Sequence, residues 1–174
     1  MARTRPGLAE GDQLARRTKG PTMRKVFVVT SVLLLASGVV QLYFAAFGVF
    51  SKPENFDPHG INGSMILPAL AVLNIIGAAI ARAGGRTIGL SVLPLVLILF
   101  QTVLFIITGA IFNVGPESET VPVGASILLG LHGLNGLAII GVSGALLTRA
   151  LRLDRTGSAT SARSPERVAT TTGS

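Results

Sequence analysis

The chain has 174 residues, of which 49% are hydrophobic and only 13% charged. Ordinary soluble domains carry roughly 25% charged residues, so a conventional water-facing surface is excluded. There is no cysteine, which removes disulfides, thiolate metal sites and covalently attached c-type haem.

Residues 1–22 are polar, with Pro6, Gly7, Gly20 and Pro21, and offer no apolar face to bury. They read as a disordered basic cytoplasmic tail. A membrane domain follows over residues 23–153. Four stretches in it lack Asp, Glu, Lys and Arg: 26–50, 58–81, 87–116 and 120–148. Each exceeds the roughly 20 residues that a transmembrane helix needs. The predicted helices cover 24–50, 58–83, 87–112 and 123–153, an all-α four-helix transmembrane bundle. The first apolar run is 25 residues, longer than the ~7–15 of a signal-peptide core, and reads as a retained anchor. Asp57-Pro58 reads as a helix N-cap followed by proline at the first helical position. Pro68 and Pro94 each kink their helix or loosen one backbone bond, which neighbours in a bundle can cover. Gly84-Gly85 predicts a tight turn. Residues 154–174, rich in Thr, Ser, Ala, Gly and Arg, read as a second disordered tail.

Basic residues set the orientation. Seven lie before the first span, Arg82 and Arg86 flank the second connection, and five follow the fourth span. Only Lys52 falls in the first or third connection, which carries Glu54, Asp57, Glu117 and Glu119. The bias of fourteen to one predicts a multi-pass protein of the plasma (inner) membrane with both termini cytoplasmic. The net charge of +7 then reports topology and contact with anionic lipid. It does not indicate nucleic acid, because the basic residues are split between two tails and one turn.

One pentapeptide occurs twice. His59-Gly60-Ile61-Asn62-Gly63 returns 73 residues later as His132-Gly133-Leu134-Asn135-Gly136, and the chain has no other histidine. Gln41 precedes the first copy and Gln101 the second. Each half reads as a helix with a glutamine, a loop, and a helix opening on the histidine motif. Both halves run in the same direction, so the pattern predicts two parallel helical-hairpin repeats about an axis along the membrane normal.

A titratable group in lipid is costly and calls for a reason. Imidazole is a good ligand for haem iron or another transition metal. His59 and His132 are therefore the candidate metal ligands, as a bis-His site for a b-type haem. Gly60 and Gly63, and Gly130, Gly133 and Gly136, allow a flat ring or a neighbouring backbone to approach. Gln41 and Gln101 can orient an imidazole or bond a haem propionate or quinone carbonyl. Asn62 and Asn135 are expected in helix-to-helix bonds beside the histidines, and Asn74 in a packing contact. The bland alternative for all six is packing glue. Depth leaves two registers open. Measured from Arg82 and Arg149, the histidines differ by roughly 9 Å in height at about 1.5 Å per residue. If Arg82 matches Arg155 instead, they are level.

No Asp, Glu, Lys or Arg lies within a span, which argues against a carboxylate-driven exporter and a charged-ring channel. No catalytic residues emerge. The residues Gln41, Gly48-Val49-Phe50, Phe56-Asp57-Pro58-His59, Gln101 and Leu131-His132-Gly133-Leu134-Asn135-Gly136 resemble a family of small four-helix actinobacterial membrane proteins of unknown function. That resemblance implies the architecture and no activity. The half-repeat also looks like the four-helix haem-binding unit of haem A synthase, which implies paired histidines around haem. This chain has one such unit and no glutamate beside a histidine. Three functions stay open: a haem-binding or quinone-facing electron-transfer protein working with a membrane redox partner, a non-enzymatic scaffold or accessory subunit, and a small-solute permease working as a homo-oligomer.

Overall fold

A computed structural model describes residues 7–115 and 118–162. The elements are α1 (Gly7–Val49), a 3-10 turn (Pro53–Phe56), α2 (Asp57–Ile61), a π-helical turn (Asn62–Ile66), α3 (Leu67–Ile80), α4 (Gly85–Phe112) and α5 (Val123–Ala162). Four membrane-spanning helices result: Thr22–Val49, Glu54–Ile80, Gly85–Phe112 and Val123–Thr156. The first span packs on the second and fourth, and the third packs on the same two. The second and fourth spans therefore face each other across a diagonal. One end of the bundle carries the 81–84 turn and the chain ends (the tail end). The other carries the connections after Val49 and Phe112 (the loop end).

Only 17–28% of the residues in the apolar cores of these spans are buried inside the molecule. Val32, Leu33, Ile76, Val96, Leu99 and Ile106 all point outward, an arrangement that suits lipid and would aggregate in water. The buried stripes are instead rich in small and polar side chains: Ser31, Ser37 and Gly38 on the first span, Asn62, Ala71 and Asn74 on the second. Apolar contacts gain little in lipid, so close backbone approach and interhelical hydrogen bonds hold such a bundle. Asn74, wholly buried, donates from Nδ2 to Ser31 Oγ at 2.8 Å and lies 3.4 Å from Thr30 Oγ1. Two apolar clusters flank that layer. Phe27, Ala78, Ala81, Leu146 and Ala150 lie toward the tail end. Leu34, Leu67, Ala71, Ile98 and Ile139 lie mid-bundle.

The local signals act as follows. Asp57 does not cap a helix: the 3-10 turn precedes it, and no side-chain cap bond forms there. The proline at Pro68 lacks an N–H and crowds the carbonyl four residues back. The wide π turn ends directly before Leu67-Pro68, with the Leu67 N–H bonding Asn62 O five residues back. Pro94 sits buried inside an unbroken helix. Gly84 takes φ +83° at the turn, as its lack of a Cβ allows, whereas Gly85 already belongs to the next helix. Asn113 ends the third span in the left-handed region, which asparagine tolerates.

Helix also continues into segments that composition alone reads as disordered, 7–22 and 154–162. Residues 8–17 include Leu, Ala, Glu, Gln and Arg, good helix formers that extend an existing helix without a new nucleus. Residues 1–6 and 163–174 of the two predicted tails lie outside the described residues.

Candidate functional site

Polar side chains from all four spans gather in the half of the bundle nearest the loop end. In the first hairpin, Gln41 Oε1 accepts from Asn62 Nδ2 at 2.7 Å. That bond fixes the amide, so Nε2 turns to the second span. It donates to His59 O at 3.0 Å and lies 3.3 Å from His59 Nε2. His59 Nδ1 lies 3.2 Å from the Gln41 carbonyl oxygen. An amide nitrogen only donates and a carbonyl only accepts. These contacts match the tautomer with the proton on Nδ1, donated to Gln41 O, and Nε2 accepting. Asn62, 4% exposed, also donates to Ser37 O at 3.1 Å and accepts from Ser37 Oγ at 2.8 Å.

The second hairpin repeats part of this set. Gln101 Nε2 donates to His132 O at 3.3 Å, and Asn135 Nδ2 donates to Leu97 O at 2.9 Å and to Gln101 Oε1. Ser37 and Leu97, and Gln41 and Gln101, are 60 residues apart; His59 and His132, and Asn62 and Asn135, are 73 apart. The equivalent contacts thus survive a second-hairpin connection that is 13 residues longer. His132 differs from His59 in one respect. Its Nδ1 is buried and has no hydrogen-bond partner.

The two imidazoles meet across the diagonal, with ring centroids 5.7 Å apart and planes inclined by 57°. That separation is smaller than the roughly 9 Å height difference of the first register at about 1.5 Å per residue. Aromatic rings flank the pair: Phe56 edge-on to His59 at 6.3 Å, and Phe105 4.8 Å from His132. Beside them is a cavity of about 320 Å³. His59, His132, Gln41 and Gln101 line it, with Thr102 and Ser64 as further polar groups and an otherwise apolar wall. Asn62 and Asn135 do not reach its wall; they hold the glutamines. Leu67, Ile98 and Ile139, all buried in the mid-bundle cluster, close it toward the tail end.

The glycines divide by role. A Cβ at Gly63 would sit 2.7 Å from Gln41 Nε2, so that glycine admits the amide. Gly60 and Gly136 line the cavity, and a Cβ on either would meet nothing within 4 Å. Gly130 and Gly133 are exposed and do not line it. Sequence reasoning missed Ser37, Phe105, Ser64 and Thr102. Ser37 was within reach, one turn before Gln41 on the same face. Among the described residues no three His, Cys, Asp or Glu side chains gather as a metal-ligand set.

Residues 41–109 match a family of unknown function (DUF6220). The matched segment holds Gln41, the first histidine motif and Gln101, and stops before the fourth span and His132. No curated protein and no solved structure matches the chain.

Proposed function

We propose that this protein binds the ring of a membrane-dissolved quinone in the cavity beside His59 and His132. The observation that carries the reading is an apolar cavity bordered by polar groups that are unequally used. Gln41 Nε2 has two contacts, whereas Gln101 Nε2 has one. An amide nitrogen carries two hydrogens, so Gln101 keeps one for a ligand. His132 cannot place its proton on the partnerless Nδ1 without burying an unpaired donor, a rare arrangement in folded proteins. Its proton on Nε2 gives a second donor. A quinone carbonyl accepts hydrogen bonds and donates none, which matches this pair. The volume of about 320 Å³ is near the lower end of the ~300–1,000 Å³ of small-ligand sites, enough for one or two fused rings.

A b-type haem is the second reading, favoured by the ring separation. Two metal–imidazole bonds of about 2.0–2.1 Å plus the half-widths of two rings bring centroids to roughly 6 Å, close to the observed 5.7 Å. The separation suits an iron, but both ring nitrogens of His59 are engaged by Gln41 and one would have to be released to bind it. The cavity does not fit the porphyrin either, which is larger than the space and would require the second and fourth spans to part.

The membrane is taken to be the plasma membrane, with both chain ends cytoplasmic, on the strength of the basic-residue bias. A reporter fused after Ser174 then reads inside and one inserted near Glu117 outside.

The function is tested by purifying the protein in mild detergent, extracting bound lipids, and recording a visible spectrum. Co-purified quinone in near-equal amount, with no Soret band, is the expected result. A reducible Soret band selects haem. Neither signal, together with no quinone uptake in nanodiscs, leaves the polar cluster as packing for a scaffold and overturns the proposal.

A further inference from the structure

The cavity has one side where both bordering helices are open. Gly60 and Ser64 of the second span line it and are exposed; so is Thr102 of the third, one turn from the buried Ile98 that forms the floor. Gly60 and Ser64 are themselves one turn apart, on the face next to the third span. The opposite seam, between the first and fourth spans, is tight. A Cβ at Gly38 would lie 3.1 Å from Ile140 Cγ1. Leu42, 40% exposed, covers that seam above Gly38, and the lining residues of the fourth span are not exposed. The floor is sealed by Leu67, Ile98 and Ile139. A way in runs sideways, between the second and third spans, at a depth where both helices present apolar surface: Ile61 and Met65 on one, Val103 and Ile106 on the other.

We infer that this seam is a lateral portal to the leaflet on the loop side, and that the ligand is a quinone with a long isoprenoid tail, its ring in the cavity and its tail lying in the seam. This rests on the quinone reading and adds the path and the tail. A head group that filled the cavity without a tail would need only the site's polar end. A tailed ring also uses the apolar seam, which is open at Gly60, where a Cβ meets nothing within 4 Å.

The portal is tested with Gly60→Leu and, separately, Thr102→Leu, against Gly141→Leu as a control. Gly141 is exposed on the fourth span, does not line the cavity, and also has open space at its Cβ. Binding of menaquinone-9 and of tail-less menadione to each protein in nanodiscs is measured by depletion of free quinone. The expected result is a loss of about tenfold or more in menaquinone-9 affinity for both seam variants, a clearly smaller loss of menadione affinity, and an unchanged control. Equal loss of both quinones means that the leucine has filled the ring site, and it overturns the portal. Unchanged binding of both overturns it as well. A wild-type protein that binds neither removes the quinone reading and the portal with it, so the two failures are distinct. A melting scan confirms that each variant is folded, and either seam variant alone suffices.

Discussion

In the first hairpin, Gln41 spends its whole amide on Asn62 and His59, and His59 spends both ring nitrogens on Gln41. In the second, Gln101 makes the same bonds to the asparagine and to the histidine carbonyl but none to the histidine ring, and His132 Nδ1 has no partner. One sequence motif has produced two different states of hydrogen bonding. The glycine about one helical turn from the imidazole marks the difference. Gly63 lies against Gln41 Nε2, at a distance no larger residue would permit, whereas its counterpart Gly136 faces open cavity. Close local approach at Gly63 accompanies a self-satisfied first hairpin, and open space at Gly136 accompanies an amide hydrogen left over in the second. In lipid, where water cannot pair with it, a leftover donor is costly, and the proposed quinone site rests on that asymmetry.

The largest expected effect is on ligand binding. His132→Ala should lower quinone retention by about tenfold or more, equivalent to about 1.4 kcal/mol, because it removes a donor that has no other use. His59→Ala should lower it by a smaller factor, since that ring is already bonded within its hairpin. Quinone content of the two purified variants, measured side by side, checks the order. Equal losses would mean that the hairpins contribute alike and that the difference in bonding has no functional weight.

The next effect is on stability and separates the two glycines. Gly63→Ala puts a methyl group 2.7 Å from Gln41 Nε2 and must displace an amide held by three contacts. Overpacking of this kind costs about 1–3 kcal/mol. Gly136→Ala meets no atom within 4 Å and should be neutral, or stabilise by up to about 1 kcal/mol through helix propensity. Thermal unfolding of both variants in the same detergent reads the contrast. A destabilised Gly136→Ala would show that the second hairpin is packed as tightly as the first.

Much of this was legible beforehand, for one reason. A polar side chain in an apolar span must find a partner, so His59, His132, Gln41, Gln101, Asn62 and Asn135 stood out against their surroundings, and charge-free stretches gave the four spans. What was not legible depended on distances between helices. The π turn at 62–66 follows from how Pro68 is accommodated, and a proline announces a disturbance without saying which kind. The distinct surroundings of Gly63 and Gly136 depend on how the helices pack, which two near-identical motifs cannot report. Thr102 and Ser64 carry common hydroxyls that usually bond their own helix, as Ser64 Oγ does to Gly60 O at 2.7 Å. Their place at the cavity edge emerges only when the helices are assembled. The helical continuation through 7–22 was hidden by the opposite error: Gly20 and Pro21 suggested a break that the good helix formers before them bridge.

The smallest effects on binding should come from the asparagines, and they are informative because stability and binding should move in opposite order. Asn62 has three side-chain bonds, to Ser37 O, Ser37 Oγ and Gln41 Oε1, and Asn135 has two, to Leu97 O and Gln101 Oε1. Interhelical bonds in membranes average about 0.6 kcal/mol each, so Asn62→Ala should cost about 2 kcal/mol and Asn135→Ala about 1 kcal/mol. Binding should respond the other way. Asn62→Ala frees Gln41, whose amide still has His59 to bond. Asn135→Ala frees Gln101, which can then turn its carbonyl toward the cavity and present an acceptor to a quinone carbonyl that needs a donor. Asn135 is in this sense a positioning residue: it touches no ligand, and it decides which face of Gln101 a ligand meets. Unfolding midpoints and menadione affinities of the two variants, measured together, test both halves. If Asn62→Ala is worse on both measures, stability alone governs, and the second hairpin has no special claim on the ligand. If Asn135→Ala binds less tightly while unfolding later than Asn62→Ala, the donors left unused in the second hairpin are the ones the ligand takes up.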